Sequence, residues 1–180
     1  MLVSSFAAMK RLAVFVLAFA FLAMAQEPLD GPKRIFHDDL LDNLQGQWKV
    51  TGPVMGRPLE MRLTAEWVLN HQFLRFHEKA VSAAQGQPPY EADVYIGYDN
   101  TSERYVAHWL DIYGGRYSEF LGYGTRSGDS IRFTFEYADG PFHNTFTWNP
   151  QAKSWRFQLE NKDTAGKWKS FADQQAVKTE

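Results

Sequence analysis

From Gly46 onward, apolar and polar residues alternate with a period of two, in segments of strand length separated by turn residues. Successive side chains of a strand point to opposite faces, so the pattern predicts strands with one buried and one wetted face. Ten such segments follow one another: GQWKVTG, LEMRLTAEWVL, FLRFHEKAV, EADVYIGYD, ERYVAHWLDI, RYSEFLGYG, SIRFTFEYA, PFHNTFTW, SWRFQLEN and GKWKSFAD. Short turn signals separate them, among them Asn70-His71, Gly114-Gly115, Gly128-Asp129, Asp139-Gly140 and Asn149-Pro150. Strands in this number, joined by short connections and with no second helix to cover a sheet edge, predict an all-β fold. Its expected form is an antiparallel up-and-down meander barrel of about ten strands, because closure covers the edges. A short N-terminal helix should precede it, since IFHDDLLDNLQ (Ile35 to Gln45) brings Ile35, Phe36, Leu40, Leu41 and Leu44 near one side.

Pairing the strands across their turns shows which face is apolar. Around Gly114-Gly115 the expected register sets Asp111 opposite Ser118 and Trp109 opposite Phe120. Around Gly128 it sets Phe120 opposite Phe135 and Gly122 opposite Phe133. Around Asp139-Gly140 it sets Phe135 opposite Asn144 and Phe133 opposite Phe146. The inner face then carries Val94, Ile96, Trp109, Phe133, Phe146 and Trp168, while Asp93, His108, Arg132, Glu136 and His143 fall on the outer one. Aromatic residues make up 16% of the chain and most fall inside. A barrel of this kind either fills its interior with side chains or holds a small ligand. Trp and Tyr carry polar groups that need partners when buried, and polar residues share the inner face, so a ligand cavity is the expectation.

The stretch HWLDIYGG supplies the sharpest candidates. Asp111 lies two residues after Trp109, so its carboxylate follows the indole inward. Asp111, Ser118 and Asn144 are expected to be the polar hooks of a pocket lined by Trp109, Phe120, Phe135 and Trp148. Glu78 joins them if Leu74, Phe76 and Ala80 point inward. The plainer alternative makes Asp111 a rim carboxylate bonded to Ser118 or to backbone donors of the hairpin. No catalytic set emerges: His108 and Asp111 are three apart on one strand and face opposite sides, and Ser118 lacks a nucleophile elbow. Glu119, Glu136 and His143 share the outer face, where a solvated charge ladder is a better reading than a metal site.

Lys10 and Arg11 precede the apolar run LAVFVLAFAFL, which ends in Ala23-Met24-Ala25, a small-x-small pattern. This reads as a signal peptide over residues 1–25, cleaved before Gln26, with a leader over 26–37 and the barrel domain over 38–177. A periplasmic or secreted protein is expected, with no stable membrane insertion of the mature chain. Cleavage removes two cations and no acid, which takes the formal charge from −2 to −4 and argues against a nucleic-acid partner. The chain has no cysteine, so neither disulfides nor thiolate chemistry are open to it.

Gly46-Gln47-Trp48 on the first strand, just after the short helix, resembles the Gly-x-Trp signature of lipocalins and the wider calycin group. Farther on, YIGYDNTSERYVAHWLD, YSEFLGYGTRSG, FEYADGPFHNTFTWNP and KDTAGKWKSFAD resemble a bacterial family of exported lipocalin-like proteins, domain of unknown function 1579, over about residues 38 to 177. The resemblance implies a lipocalin-like barrel and assigns no activity. Nitrobindin-like haem barrels, a related type, ligate iron with a late histidine. Here no histidine follows His143, and the last strands offer Trp155, Trp168 and Phe171 instead. No cofactor is therefore expected, and a haem alternative would have to rest on His143. The expected function is binding of a small, mostly apolar molecule. The alternatives are an enzyme on the same barrel with Asp111 or Glu78 carrying a proton, and a solid-core envelope interaction module.

Overall fold

The computed structural model describes residues 35–83 and 85–179. The expected signal peptide, and the leader as far as residue 34, lie outside these residues. Ten strands follow in order: β1 (Gly46–Val54), β2 (Arg57–Val68), β3 (Phe73–Ala80), β4 (Glu91–Asp99), β5 (Arg104–Asp111), β6 (Leu121–Ser127), β7 (Ser130–Tyr137), β8 (Gly140–Asn149), β9 (Ser154–Lys162) and β10 (Trp168–Thr179). Each pairs antiparallel with its chain neighbours, and β1 pairs with β10 from Gln47↔Thr179 to Val54↔Ala172. The sheet is thus a closed barrel with no free edge, as the alternating pattern predicts. Among the described residues no helix is long and apolar enough to cross a membrane.

Alternation sorts the faces. Val50, Leu63, Phe76, Val94, Ile131, Phe133 and Phe146 are all buried inside. The outer face carries paired charges such as Arg75 with Asp93 and Lys79 with Glu91. Two registers differ from expectation by two residues: Gly124, not Gly122, pairs with Phe133, and Phe133, not Phe135, pairs with Asn144. The turns are centred one residue away from the expected places, with Ser127↔Ser130 and Tyr137↔Gly140 each closing a two-residue loop, one later and one earlier in the chain. A slip of two preserves parity, so no side chain changes face.

Three local expectations are corrected. The N-terminal helix is a single 3-10 turn, Leu41–Leu44, because Asp38 captures the N–H groups of Leu40 and Leu41 at 3.0 and 2.8 Å and Gly46 already opens β1. The sixth strand begins only at Leu121, because Gly115–Ser118 coils into one helical turn, α1. Trp168 lies outside, stacked on His143 with ring centroids 3.7 Å apart. A bulge between Ser170 and Ala172 reverses the parity of β10 and turns Phe171 toward the barrel mouth instead.

The 3-10 turn plugs one end of the barrel. Leu40, Leu41 and Leu44 are 0–1% exposed, and three indoles reach them from the strand ends. Trp48 Nε1 donates to the Leu44 carbonyl at 2.6 Å, Trp155 Nε1 to the Asn43 carbonyl at 3.3 Å, and Trp67 Nε1 to the Asp42 carboxylate at 2.9 Å. Trp48 is the tryptophan of the Gly-x-Trp motif, so the motif fastens the plug to the first strand.

Gly122 and Gly124 of β6 face inward, and the rings of Phe135 and Phe133 lie over them. A Cβ at position 122 would stand 2.4 Å from Phe135 Cζ. Gly122→Ala is therefore expected to push that ring inward and lower stability by about 1–3 kcal/mol, the usual range for overpacking. The urea midpoint of the variant measures it, and an unchanged midpoint would mean that the ring is not held against the glycine.

Candidate functional site

The strand ends opposite the plug enclose a cavity of about 460 Å³. That volume suits a small organic ligand. Trp109, Phe135, Tyr137, Phe142 and Leu159 supply much of its wall. Edge-to-face contacts set some of these rings: Phe76 meets Trp109 at 5.7 Å, and Phe142 meets Phe171 at 5.4 Å.

The polar part of the site follows from strand register. Leu63, Glu78, Ala92 and Asp111 form one lateral row across β2, β3, β4 and β5. Glu78 and Asp111 are thus two strands apart, about 10 Å between backbones, with only the methyl group of Ala92 between them. One step deeper, Phe76 and Trp109 flank Val94 in the same way and their rings touch. Barrel curvature brings such side chains together over the residue they flank.

Glu78 is 6% exposed, and among the described residues no hydrogen-bond donor reaches its carboxyl. Burial, reinforced by the Asp111 charge, pushes its pKa up to about 8. At neutral pH it is mostly a neutral acid. Burial also raises Asp111, although the Tyr113 amide, which donates to its Oδ1 at 2.9 Å, and the Tyr90 hydroxyl oppose the rise. Tyr90 accepts a hydrogen bond from Trp109 Nε1 at 3.0 Å. Burial, then the Glu78 charge, lifts the Tyr90 phenol well above its ordinary range. Asp111 and Trp109, neighbours on one strand face, are thereby joined through one tyrosine.

Gln174 lines the cavity from β10, 4% exposed, and its Nε2 has no partner. Behind it and Glu78 lies a side pocket of about 20 Å³, room for one water molecule. A cavity with apolar walls and unpaired polar groups can bury an apolar body and hydrogen-bond one polar head.

Of the residues expected to form the site, the cavity unites Glu78, Trp109, Asp111 and Phe135. The other four lie elsewhere. Ser118 sits in α1, where its hydroxyl donates to the Gly114 carbonyl at 3.1 Å. Phe120 follows that turn and packs edge-on to Tyr137 at 5.8 Å, outside the cavity wall. Asn144 is buried in mid-barrel beside Phe133 and Leu159, its Oδ1 unpaired. Trp148 belongs to the plugged end, 6.4 Å from Trp48 and 5.4 Å from Trp155. The α1 turn accounts for Ser118 and Phe120, whereas Asn144 and Trp148 face inward at other heights along the barrel. Two site residues escaped sequence reasoning: Tyr90, in the connection after Pro88-Pro89, and Gln174, beyond the expected end of the last strand. The alternation Ala172, Gln174, Ala176 was the available signal for the second.

His143 faces outward against Trp168, and burial lowers its pKa. Among the described residues no three His, Cys, Asp or Glu side chains converge to hold a metal ion.

No curated protein matches the chain. Among solved structures, that of Rv2717c from M. tuberculosis is similar, with a TM-score of 0.52 and 14% sequence identity over 78% of this chain and 95% of the other. At that identity the likeness is one of fold. The family model described as "Protein of unknown function (DUF1579)" matches residues 37–178, most of the chain, and the protein belongs to that family.

Proposed function

We propose that the protein is an exported, lipocalin-like barrel that binds one small, mostly apolar molecule in its open end. The observation that carries this reading is the cavity of about 460 Å³, walled by aromatic and aliphatic side chains and holding the unpaired Nε2 of Gln174 and the buried carboxyl of Glu78. A solid-core module would have no such space to line. Export is supported by Lys10-Arg11, the apolar run after them and Ala23-Met24-Ala25.

The test uses the neutral dye Nile red. One molecule is expected to bind per chain with a blue-shifted emission. Leu159→Trp, which adds bulk inside the cavity, should weaken binding at least tenfold. Binding that ignores this variant, or that is unsaturable, would place the dye on the outer surface and refute the reading.

A second reading has one observation in its favour: Glu78, titrating near 8, is tuned for acid–base chemistry on a bound molecule. The two differ in what is recovered. A carrier returns its natural ligand unchanged after long incubation, whereas an enzyme returns a product of different mass.

A further inference from the structure

We propose that the inner part of this cavity receives the protonated amine of an otherwise apolar ligand, seated over Ala92 between the carboxyl groups of Glu78 and Asp111. The proposal rests on the reading of the cavity as a ligand site and adds the chemistry of the head group.

Among the described residues Glu78 makes no side-chain hydrogen bond within the barrel. Its row neighbours Leu63 and Ala92 are apolar, and no described donor satisfies it. A buried carboxyl left without a partner is costly and calls for an explanation outside the fold. Asp111, across the single methyl group of Ala92, points to one: an ammonium placed between them makes two charge-assisted hydrogen bonds at once. The third N–H of the ammonium finds an acceptor in Gln174, whose amide can turn its oxygen toward the cavity. The Trp109 and Tyr137 rings add faces that attract a cation.

The other charges around the cavity favour the same sign of ligand. Asp139, in the turn between β7 and β8, adds a third acid at the mouth. Lys162 of β9 is the one cation among the described lining residues, and its Nζ sits 5.0 Å from the centre of the outer Trp168 ring. The remaining titratable groups facing Glu78 are phenols: Tyr90 before β4, Tyr113 after β5, Tyr117 of α1 and Tyr137 of β7. A carboxylate ligand would bring a further negative charge to Glu78 and Asp111. A neutral alcohol can accept the Glu78 proton and donate to Asp111, but it brings no positive charge to the two carboxyl groups.

Binding of an ammonium also moves a proton. In the free protein the Glu78 carboxyl is mostly protonated at pH 7. Beside the ammonium it ionises, and the proton leaves to buffer. Affinity for an amine should therefore climb from pH 6 toward pH 8, by up to tenfold per pH unit.

Isothermal titration of the purified full chain with 2-(1-naphthyl)ethylamine, 2-(1-naphthyl)ethanol and 1-naphthylacetate tests the proposal, since the three share a ring and differ in the head. At pH 8 the amine should bind at least tenfold more tightly than the alcohol, and the carboxylate most weakly. Only the amine should release a proton, read from heats in buffers of different ionisation enthalpy. Glu78→Gln should shrink the amine-to-alcohol ratio below about threefold, and Asp111→Asn, as a second variant, should shrink it too. An alcohol that matches the amine, or a ratio untouched by both substitutions, would overturn the head-group assignment while leaving the pocket standing. Failure of all three probes to bind would remove the pocket reading and this proposal together.

Discussion

Between pH 4 and pH 9 the wild-type barrel is expected to lose about 4 kcal/mol of unfolding free energy that Glu78→Gln does not lose. Glu78 ionises near 4.5 when unfolded and near 8 when folded. Below pH 4.5 both states are protonated and the residue is neutral to stability. Above it the unfolded chain gives up the proton while the folded chain keeps it. Stability then falls with rising pH until the folded pKa is passed, and levels off beyond it. Glutamine has the same shape and cannot ionise, so the difference between the two curves isolates this one group. Urea unfolding at half-unit pH intervals measures it. Parallel curves would mean that the Glu78 carboxyl is solvated or paired, contrary to its position in the cavity.

The second large effect belongs to the opposite end. Asp38→Ala is expected to lower stability by about 4 kcal/mol, in the range found when one partner of a buried, hydrogen-bonded charge is removed. The Asp38 carboxylate, 7% exposed, accepts the amides of Leu40 and Leu41 and the hydroxyl of Tyr105, and Arg126 stands 3.6 Å away. Alanine would leave two amides and a phenol buried without partners. The three leucines they position would lose their fixed place under Trp48 and Trp155. Asp38→Asn retains an acceptor and should lose about half as much. Because this end is remote from the cavity, the amine-to-alcohol preference of the stable Asn variant should match that of the wild type. A variant that kept full stability would show that the plug holds by apolar contact alone.

The contrast between the two ends explains what the sequence disclosed. Period-two alternation depends only on parity, and parity survives a slip of two residues. The inner positions of Val94, Trp109, Phe133 and Phe146 could therefore be read before any register was known. The site needed more than parity. Glu78 and Asp111 share a row because Ala92 stands opposite both, which depends on two registers being right to the residue. Asn144 and Trp148 share the inner face but sit at other heights along the barrel, a coordinate that alternation does not encode. Trp168 was misplaced for a different reason. The bulge at Ser170 inserts one residue, and one residue reverses every face beyond it. Tyr90 lay hidden because it comes from a connection, where no periodicity operates. Gln174 lay hidden because polar DQQAVKT does not look like a strand, although β10 must be this long to close against β1.

The same geometry answers why a strand would carry Asp111 beside Trp109. Trp109 Nε1 reaches the Tyr90 oxygen, and the Tyr90 hydroxyl supports Asp111. The Tyr113 amide holds the carboxylate at the rim, where it lines the cavity.

The most direct test of a ligand cavity in the open end is the set of nuclear Overhauser contacts between bound 2-(1-naphthyl)ethanol and the protein. Contacts from the naphthyl protons to Trp109, Phe135 and Leu159 are predicted, with none to Trp48 or Trp155 at the plug. Contacts confined to the outward-facing Leu110, Leu121 and Tyr123 would contradict the account, because they would place the molecule outside a barrel whose interior admits nothing.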